Sequence, residues 1–219
     1  MAGKRSYSEA CGVARALDIV GERWALMVVR ELLLGPKRFT DIRASLPGLS
    51  PDVLAQRLKD LEAAGVVRKR TLPPPAASKV YELTPQGEAL EPVLIALGRW
   101  GGANAPPPLE GQGMSFDAHL LSLRTLFDPD LVDGLDTTVQ LVLGDERFRA
   151  KVAGGELELE RGEEPSPAVT IVTDAGTLID IAHGRLSLGD ALTADRIEIT
   201  GDGEAAARFL RLFPLPAPA

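Results

Sequence analysis

A single cysteine, Cys11, and two histidines, His119 and His183, are all the thiol and imidazole groups in this chain of 219 residues. No intrachain disulfide can form, and no Cys/His cluster supports a zinc site. Aromatic residues make up 5% and apolar residues 45%, a globular composition rather than a disordered or fibrous one. The longest apolar run, Trp24 to Val29, falls far short of the ~18 residues that cross a bilayer. Lys4 and Arg5 are not followed by an apolar segment, so no signal peptide is expected. These absences predict a reduced, cytoplasmic protein without a membrane partner. The sequence also lacks a nucleophile elbow, a P-loop, a dinucleotide fingerprint and a metal motif. No catalytic residue, metal or cofactor is therefore nominated, and the chain is not expected to be an enzyme.

A net charge of −7 speaks against a polyanion partner until it is divided. Residues 1–102 hold 15 Lys and Arg against 11 Asp and Glu; residues 103–219 hold 9 against 20. The basic half reopens nucleic acid as a partner. The sign changes at 103–113, where three successive prolines, Pro106 to Pro108, lie between glycines. Prolines fix φ and remove donors, so this stretch reads as a semi-rigid linker. The expected domains are 1–102 and 114–219.

In the first half, residues 8–20 read as a helix capped by Ser8, with Cys11, Ala14, Leu17 and Val20 on its apolar face. Trp24 to Leu34 is apolar nearly all round, as a buried helix is. Phe39 to Leu46 is a short helix, followed by a Pro47-Gly48 turn. Ser50, Pro51 and Asp52 are a cap, a first-position proline and a first-turn acid for a helix running to about Ala64. Leu54, Leu58 and Leu61 face its core. Asp52, Gln56 and Lys59 face outward, with Val53 and Arg57 flanking the apolar stripe. Strands at 66–72 and 79–84 enclose a Pro/Ala/Ser loop, and Pro85 to Trp100 reads as a helix that Pro92 kinks unless a neighbour absorbs the strain.

Two helices joined by a tight turn and followed by a hairpin describe an α-rich winged helix-turn-helix, whose second helix enters the major groove. Candidate base readers are Ser50, Asp52, Val53, Gln56 and Arg57; amide and guanidinium groups make bidentate base contacts. Arg57, beside the core stripe, would alternatively brace the domain through its stem. Candidate phosphate contacts are Arg38, Thr40, Lys59, Arg68, Lys69, Arg70 and Lys79. The motifs CGVARALDIVGERW (11–24), VREL (29–32), GPKRF (35–39), LPGLS (46–50), LAQRL (54–58), LEAAG (61–65), YELT (81–84) and GRW (98–100) occur in order. Together they resemble the HxlR-type branch of the MarR-like winged-helix regulators. The resemblance implies a homodimer on a pseudo-palindromic double-stranded DNA operator, with the N-terminal helix and the helix at 85–100 building the dimer contact. It also implies thiol sensing near Cys11, against which stands the inertness of a thiol on an apolar helix face.

The second half begins with a helix at 115–127. Strands follow at 137–143, 146–153, 156–161, 168–173 and 196–200. A two-residue Gly154-Gly155 turn sets Val152 opposite Leu157 and Ala150 opposite Leu159. The same register sets Lys151 against Glu158 and Arg149 against Glu160, so a one-residue slip would spoil both faces. Helices follow from Asp174, from Ser187 and after Gly203. The expectation is an α+β fold, an antiparallel sheet with helices on one face. The motifs GGELEL (154–159), VTIVTD (169–174), TLID (177–180), GRLSLGDAL (184–192) and IEITGD (197–202) resemble the sterol carrier protein 2 (SCP2) family. That resemblance implies an apolar cavity for lipids or other hydrophobic molecules. Candidate lining residues are Phe116, Leu120, Phe127, Phe148, Leu178, Ile181, Leu192, Phe209 and Phe213. His119 and His183 read as surface or cap residues.

The combined expectation is a dimeric DNA-binding transcriptional regulator, a repressor by family resemblance, with a hydrophobic or lipid-like effector bound by its second domain. The alternative is a lipid-carrier or accessory protein whose winged helix serves protein contacts.

Overall fold

The computed structural model describes residues 6–74, 77–104 and 114–215. Its two units, residues 1–94 and 95–219, each have their own core.

In the first unit, α1 (Gly12–Val20), α2 (Ala25–Leu32), α3 (Phe39–Ser45) and α4 (Pro51–Ala63) are followed by β1 (Val67–Thr71), β2 (Lys79–Leu83) and α5 (Pro85–Glu88). Val28, Val29, Ile42, Leu54, Leu58 and Leu61 are each no more than 1% exposed. They knit α2, α3 and α4 into one core with Leu46, Leu49, Val66, Val67 and Leu83. Gly65 leaves α4 with φ +74, and the chain turns directly into β1. β1 and β2 pair antiparallel, Val67 opposite Leu83 and Thr71 opposite Lys79. Lys37 adds a bridge on the far side of β2, its N–H donating to the Tyr81 carbonyl (3.0 Å) and its carbonyl accepting from the Tyr81 N–H (2.8 Å). This is a winged helix-turn-helix.

Two helix expectations need correction. The first helix starts at Gly12, not Ser8, which has a φ of +52. Asp18 accepts hydrogen bonds from the Ser6 hydroxyl (2.7 Å) and the Tyr7 N–H (3.0 Å), drawing the preceding segment into a turn. Cys11 therefore occupies the N-cap position of α1, without a side-chain cap hydrogen bond, and is exposed rather than lying on an apolar face. The helix expected at 85–100 is two helices, α5 and α6 (Glu91–Asn104). Thr84 caps α5 by accepting from the Gly87 N–H (3.2 Å). A Cβ on Gly87 would overlap the Val66 carbonyl. Pro92 falls in the first turn of α6, where its missing donor costs nothing and no kink is required. α6 runs to Asn104, four residues past the expected helix end and two past the expected domain limit. The prolines at 106–108 lie outside the described residues.

The second unit adds α7 (Phe116–Leu126), β3 (Thr137–Leu143), β4 (Glu146–Ala153), β5 (Glu156–Arg161), β6 (Val169–Thr173), α8 (Ala175–Ala182), α9 (Leu188–Thr193), β7 (Ile197–Gly201) and α10 (Gly203–Leu210). Strand order is β5-β4-β3-β6-β7. The β4–β5 register is the one that charge and apolar matching predict: Val152 opposite Leu157, Lys151 opposite Glu158, Arg149 opposite Glu160. Gly154 and Gly155 take φ +59 and +82, the left-handed pair that a two-residue turn needs.

The sheet is mixed, not antiparallel, because β3 and β6 are parallel. After the β3-β4-β5 meander the chain must return across the sheet to reach the free edge of β3. Gln140, on the face of β3 opposite Val139 and Leu141, fastens this return. Its amide nitrogen donates to the carbonyls of Phe148 (2.9 Å) and Gly162 (3.3 Å), and its oxygen accepts from the Glu164 N–H (2.6 Å). All of its polar atoms are used, which is how a buried amide is tolerated there. Val139, Leu141, Phe148, Ala150, Val169 and Ile171 form the other, fully buried face. α10 packs on β6 and β7, α9 on β7, and α8 on α7, α9 and α10.

Candidate nucleic-acid interface

The apolar spacing of α4 decides which of its side chains face outward. Leu54, Leu58 and Leu61 are at most 1% exposed, so the turns between them look out. Ser50 starts the helix, its hydroxyl accepting from the Val53 N–H (3.3 Å). Ser50, Asp52, Val53, Gln56 and Lys59 are on this outward surface, with Ser50, Asp52, Val53 and Lys59 exposed and Gln56 exposed as well. The Gln56 amide donates to Asp60 Oδ1 at 2.8 Å, one turn on. Arg57 does not join this surface freely. It is half-buried, with its Nη1 3.2 Å from Asp60 Oδ2 and 3.6 Å from Glu22 Oε2, so it ties α4 to the α1–α2 junction.

The basic side chains divide into two groups. Arg38 and Thr40 are exposed at the start of α3, and Lys79 at the loop end of the wing, opposite Thr71. On β1, Arg68 and Arg70 share the buried carboxylate of Glu82, at 2.7 and 2.8 Å. Lys69, on the opposite face, pairs with Glu62 (3.0 Å) and lies over the Tyr81 ring (5.5 Å to its centre). The Glu62 hydrogen bond and the Tyr81 oxygen raise its pKa. These three must exchange a protein acid for a phosphate to bind one.

One cluster escaped the sequence reading. Glu31 is fully buried, with Oε1 2.7 Å from Arg30 Nη2 and Oε2 2.8 Å from Lys37 Nζ. Its signal was an acid inside a run otherwise read as apolar on all sides, which demands a cation nearby. The tether of Arg57 by Glu22 carries no spacing signal, because Glu22 lies on a different element.

Cys11 is exposed at the N-cap of α1, where the nearby Ala14 and Val13 N–H groups lower its pKa. In the second unit, Leu120, Phe148, Leu178, Phe209 and Phe213 are buried to within 1% and Ile181 to 9%, whereas Leu192 is 44% exposed. Phe116 packs on Phe148 (5.6 Å between centres), and Phe213 on Phe209 (5.3 Å) and Phe127 (6.2 Å). A groove of about 350 Å³ is lined by Arg99, Thr125, Leu126, Phe127, Asp128, Pro129, Pro214 and Leu215; of the nine candidate lining residues only Phe127 belongs to it. His183 is half-buried at the end of α8. Burial and the nearby Arg185, whose guanidinium donates to Nδ1 (2.9 Å), depress its pKa to about 4. Among the described residues no cluster of His, Cys, Asp or Glu is arranged to hold a metal, and no helix is long and apolar enough to cross a membrane.

Residues 19–108 match the family model described as HxlR-like helix-turn-helix, and residues 112–219 match the one described as Alkyl sulfatase C-terminal. The chain is 43% identical over 96 residues to the HTH-type transcriptional regulator YvaP of Bacillus subtilis, covering 89% of that protein and 43% of this one. It is 35% identical over 92 residues to YodB of the same organism, covering 82% of YodB and 42% of this chain. A solved structure of the inverting sec-alkylsulfatase Pisa1 from Pseudomonas sp. is 24% identical at a TM-score of 0.43, the alignment spanning 53% of this chain and 20% of that one. Through its first hundred residues, the chain belongs to the HxlR-like helix-turn-helix family of DNA-binding transcriptional regulators.

Proposed function

We propose that the protein is a homodimeric repressor that binds a pseudo-palindromic operator and is controlled by a hydrophobic small molecule bound in its second domain. The observation that carries the DNA reading is the outward surface of α4, where Ser50, Asp52, Val53, Gln56 and Lys59 are all exposed. Gln56 is the base reader, with Ser50, Asp52 and Val53 beside it; Lys59, Arg38, Thr40 and Lys79 hold phosphates. Arg57 braces α4, and Arg68, Lys69 and Arg70 are the wing's reserve of charge. Support for a dimer comes from helices with uncovered apolar side chains: Val13 (67% exposed) and Leu17 on α1, and Val93, Leu97 and Trp100 (65%) on α6. Repression as the sign rests on the family resemblance.

The effector reading rests on the SCP2-like motifs and on the match to the C-terminal domain of alkyl sulfatases, enzymes that by name act on an apolar chain bearing a sulfate. An alkyl sulfate is accordingly the first compound to try. We place the domain limits at 1–102 and 114–219; support for a division in this stretch comes from the two family matches, over 19–108 and 112–219. Thiol control at Cys11 is a separate reading, supported by its exposure and lowered pKa.

Selection of genomic fragments by the full-length protein tests the DNA reading. We expect a shared inverted repeat with half-site centres about one helical turn, ~34 Å, apart. Recovery of no enriched sequence with or without alkyl sulfate would refute it and favour an accessory role for the winged helix.

A further inference from the structure

We infer that Glu31 is a positioning residue for DNA binding: its buried carboxylate holds the start of α3 and the root of the wing in the geometry that grips phosphates. This rests on the DNA reading above. Glu31 lies one residue before the end of α2 and is fully buried. It faces two cations, Arg30 through Nε (3.1 Å) and Nη2 (2.7 Å), and Lys37 through Nζ (2.8 Å). The Lys37 ammonium also reaches Ser45 Oγ (3.4 Å) at the end of α3, and that hydroxyl donates to the Asp41 carbonyl (3.0 Å). The main chain of Lys37 makes both bridge hydrogen bonds to Tyr81 of β2. One carboxylate thus joins α2, both ends of α3 and the wing.

The position of Lys37 gives this junction a function. The next residue, Arg38, precedes α3, and its N–H donates to Asp41 (3.3 Å). Arg38 and Thr40 are exposed there, a guanidinium and a hydroxyl of the kinds that meet DNA phosphates. The Lys37 stem runs inward to Glu31 while its neighbour faces solvent. Without the Glu31 carboxylate, the attraction that holds the part-buried Lys37 ammonium turned inward is lost. The Lys37–Tyr81 bridge would lose its anchor, and Arg38 and the wing would lose their common reference.

The test compares wild-type protein with Glu31→Gln, and with Lys37→Met in case the first fails to fold, since Lys37→Met leaves Arg30 on the carboxylate. The probe is a fluorescent duplex enriched from random-sequence DNA by the wild-type protein, titrated between about 50 and 200 mM salt. Circular dichroism fixes a temperature at which each variant is folded. For the folded variants we expect affinity to fall by about an order of magnitude, and the log–log salt slope to shrink by about 0.9 for each phosphate that is no longer neutralised. A purely structural role would lower the melting temperature but leave affinity and slope at wild-type values, and that result would overturn the assignment. Failure of the wild-type protein to enrich or bind any duplex would instead overturn the DNA reading, and this role with it.

Discussion

Arg57 and Gln56 are neighbours in sequence with different fates. The sequence offers both as base readers and Arg57 also as a brace; the two carboxylates around Arg57 favour the brace, and Gln56 is the more exposed of the pair. A helical wheel places Arg57 beside the apolar stripe but is blind to Glu22 on another element. Cys11 was misplaced for a related reason, because Asp18 captures the segment before it and moves the helix start. His183 gives a prediction at this scale. It is neutral in the folded protein because burial and Arg185 disfavour its charge, with Asp180 opposing and His119 adding to the depression. The unfolded chain takes up the proton at the ordinary histidine pKa, about 6.5, and the folded one only near 4. Stability is therefore fully present above about pH 6.5 and is lost as pH falls toward 4. Urea unfolding followed across that window should show the decline in wild-type protein and a shallower one in His183→Gln. Parallel profiles for the two would remove His183 as the cause.

Elements were the most legible level. α4 announces itself by a cap, a first-position proline and a leucine stripe, and its bounds follow. The β4–β5 hairpin was readable to the residue, since only one register pairs apolar with apolar and Lys or Arg with Glu. Adding a side chain at Gly155 meets open space, so any cost there comes from its φ of +82. Gly155→Ala should destabilise the second unit by about 1–2 kcal/mol in chemical denaturation. Lys151→Glu, which sets two acids opposite each other, should cost up to about 1 kcal/mol. Neutral results for both would mean that the hairpin does not report on the stability of the unit. The parallel β3–β6 pairing was not readable. Local matching settles which strands form hairpins, but where the chain goes after β5 depends on a buried contact, the Gln140 amide holding the return segment. The break between α5 and α6 was written in the sequence as Thr84-Pro85 followed by Glu91-Pro92, two start signals close together, the second of which reads as a kink when one helix is assumed.

At the scale of the whole molecule, the charge split is the informative quantity. A chain of net charge −7 is a poor candidate for DNA binding until its excess of acid is assigned to residues 103–219. The basic half carries the helix-turn-helix, and the acidic half carries an α+β sheet whose outer ion pairs, such as Arg149 with Glu160, are internally matched. The division of labour we propose is readout by the first domain and control by the second. An effector can act only through a difference in its affinity for the DNA-competent and DNA-incompetent arrangements.

The most direct measurement is the affinity of the full-length protein for its selected duplex and for the same duplex scrambled, at several salt concentrations, for wild type, Gln56→Ala and Lys59→Ala. If α4 is the reading helix, Gln56→Ala lowers affinity for the selected duplex by about 1–3 kcal/mol and leaves the scrambled duplex nearly unchanged. Lys59→Ala weakens both alike and reduces the salt slope by about 1 for each copy that contacts a phosphate. Equal losses on both duplexes for Gln56→Ala, or no loss for either variant, would contradict the account, because the surface it rests on would not be touching DNA.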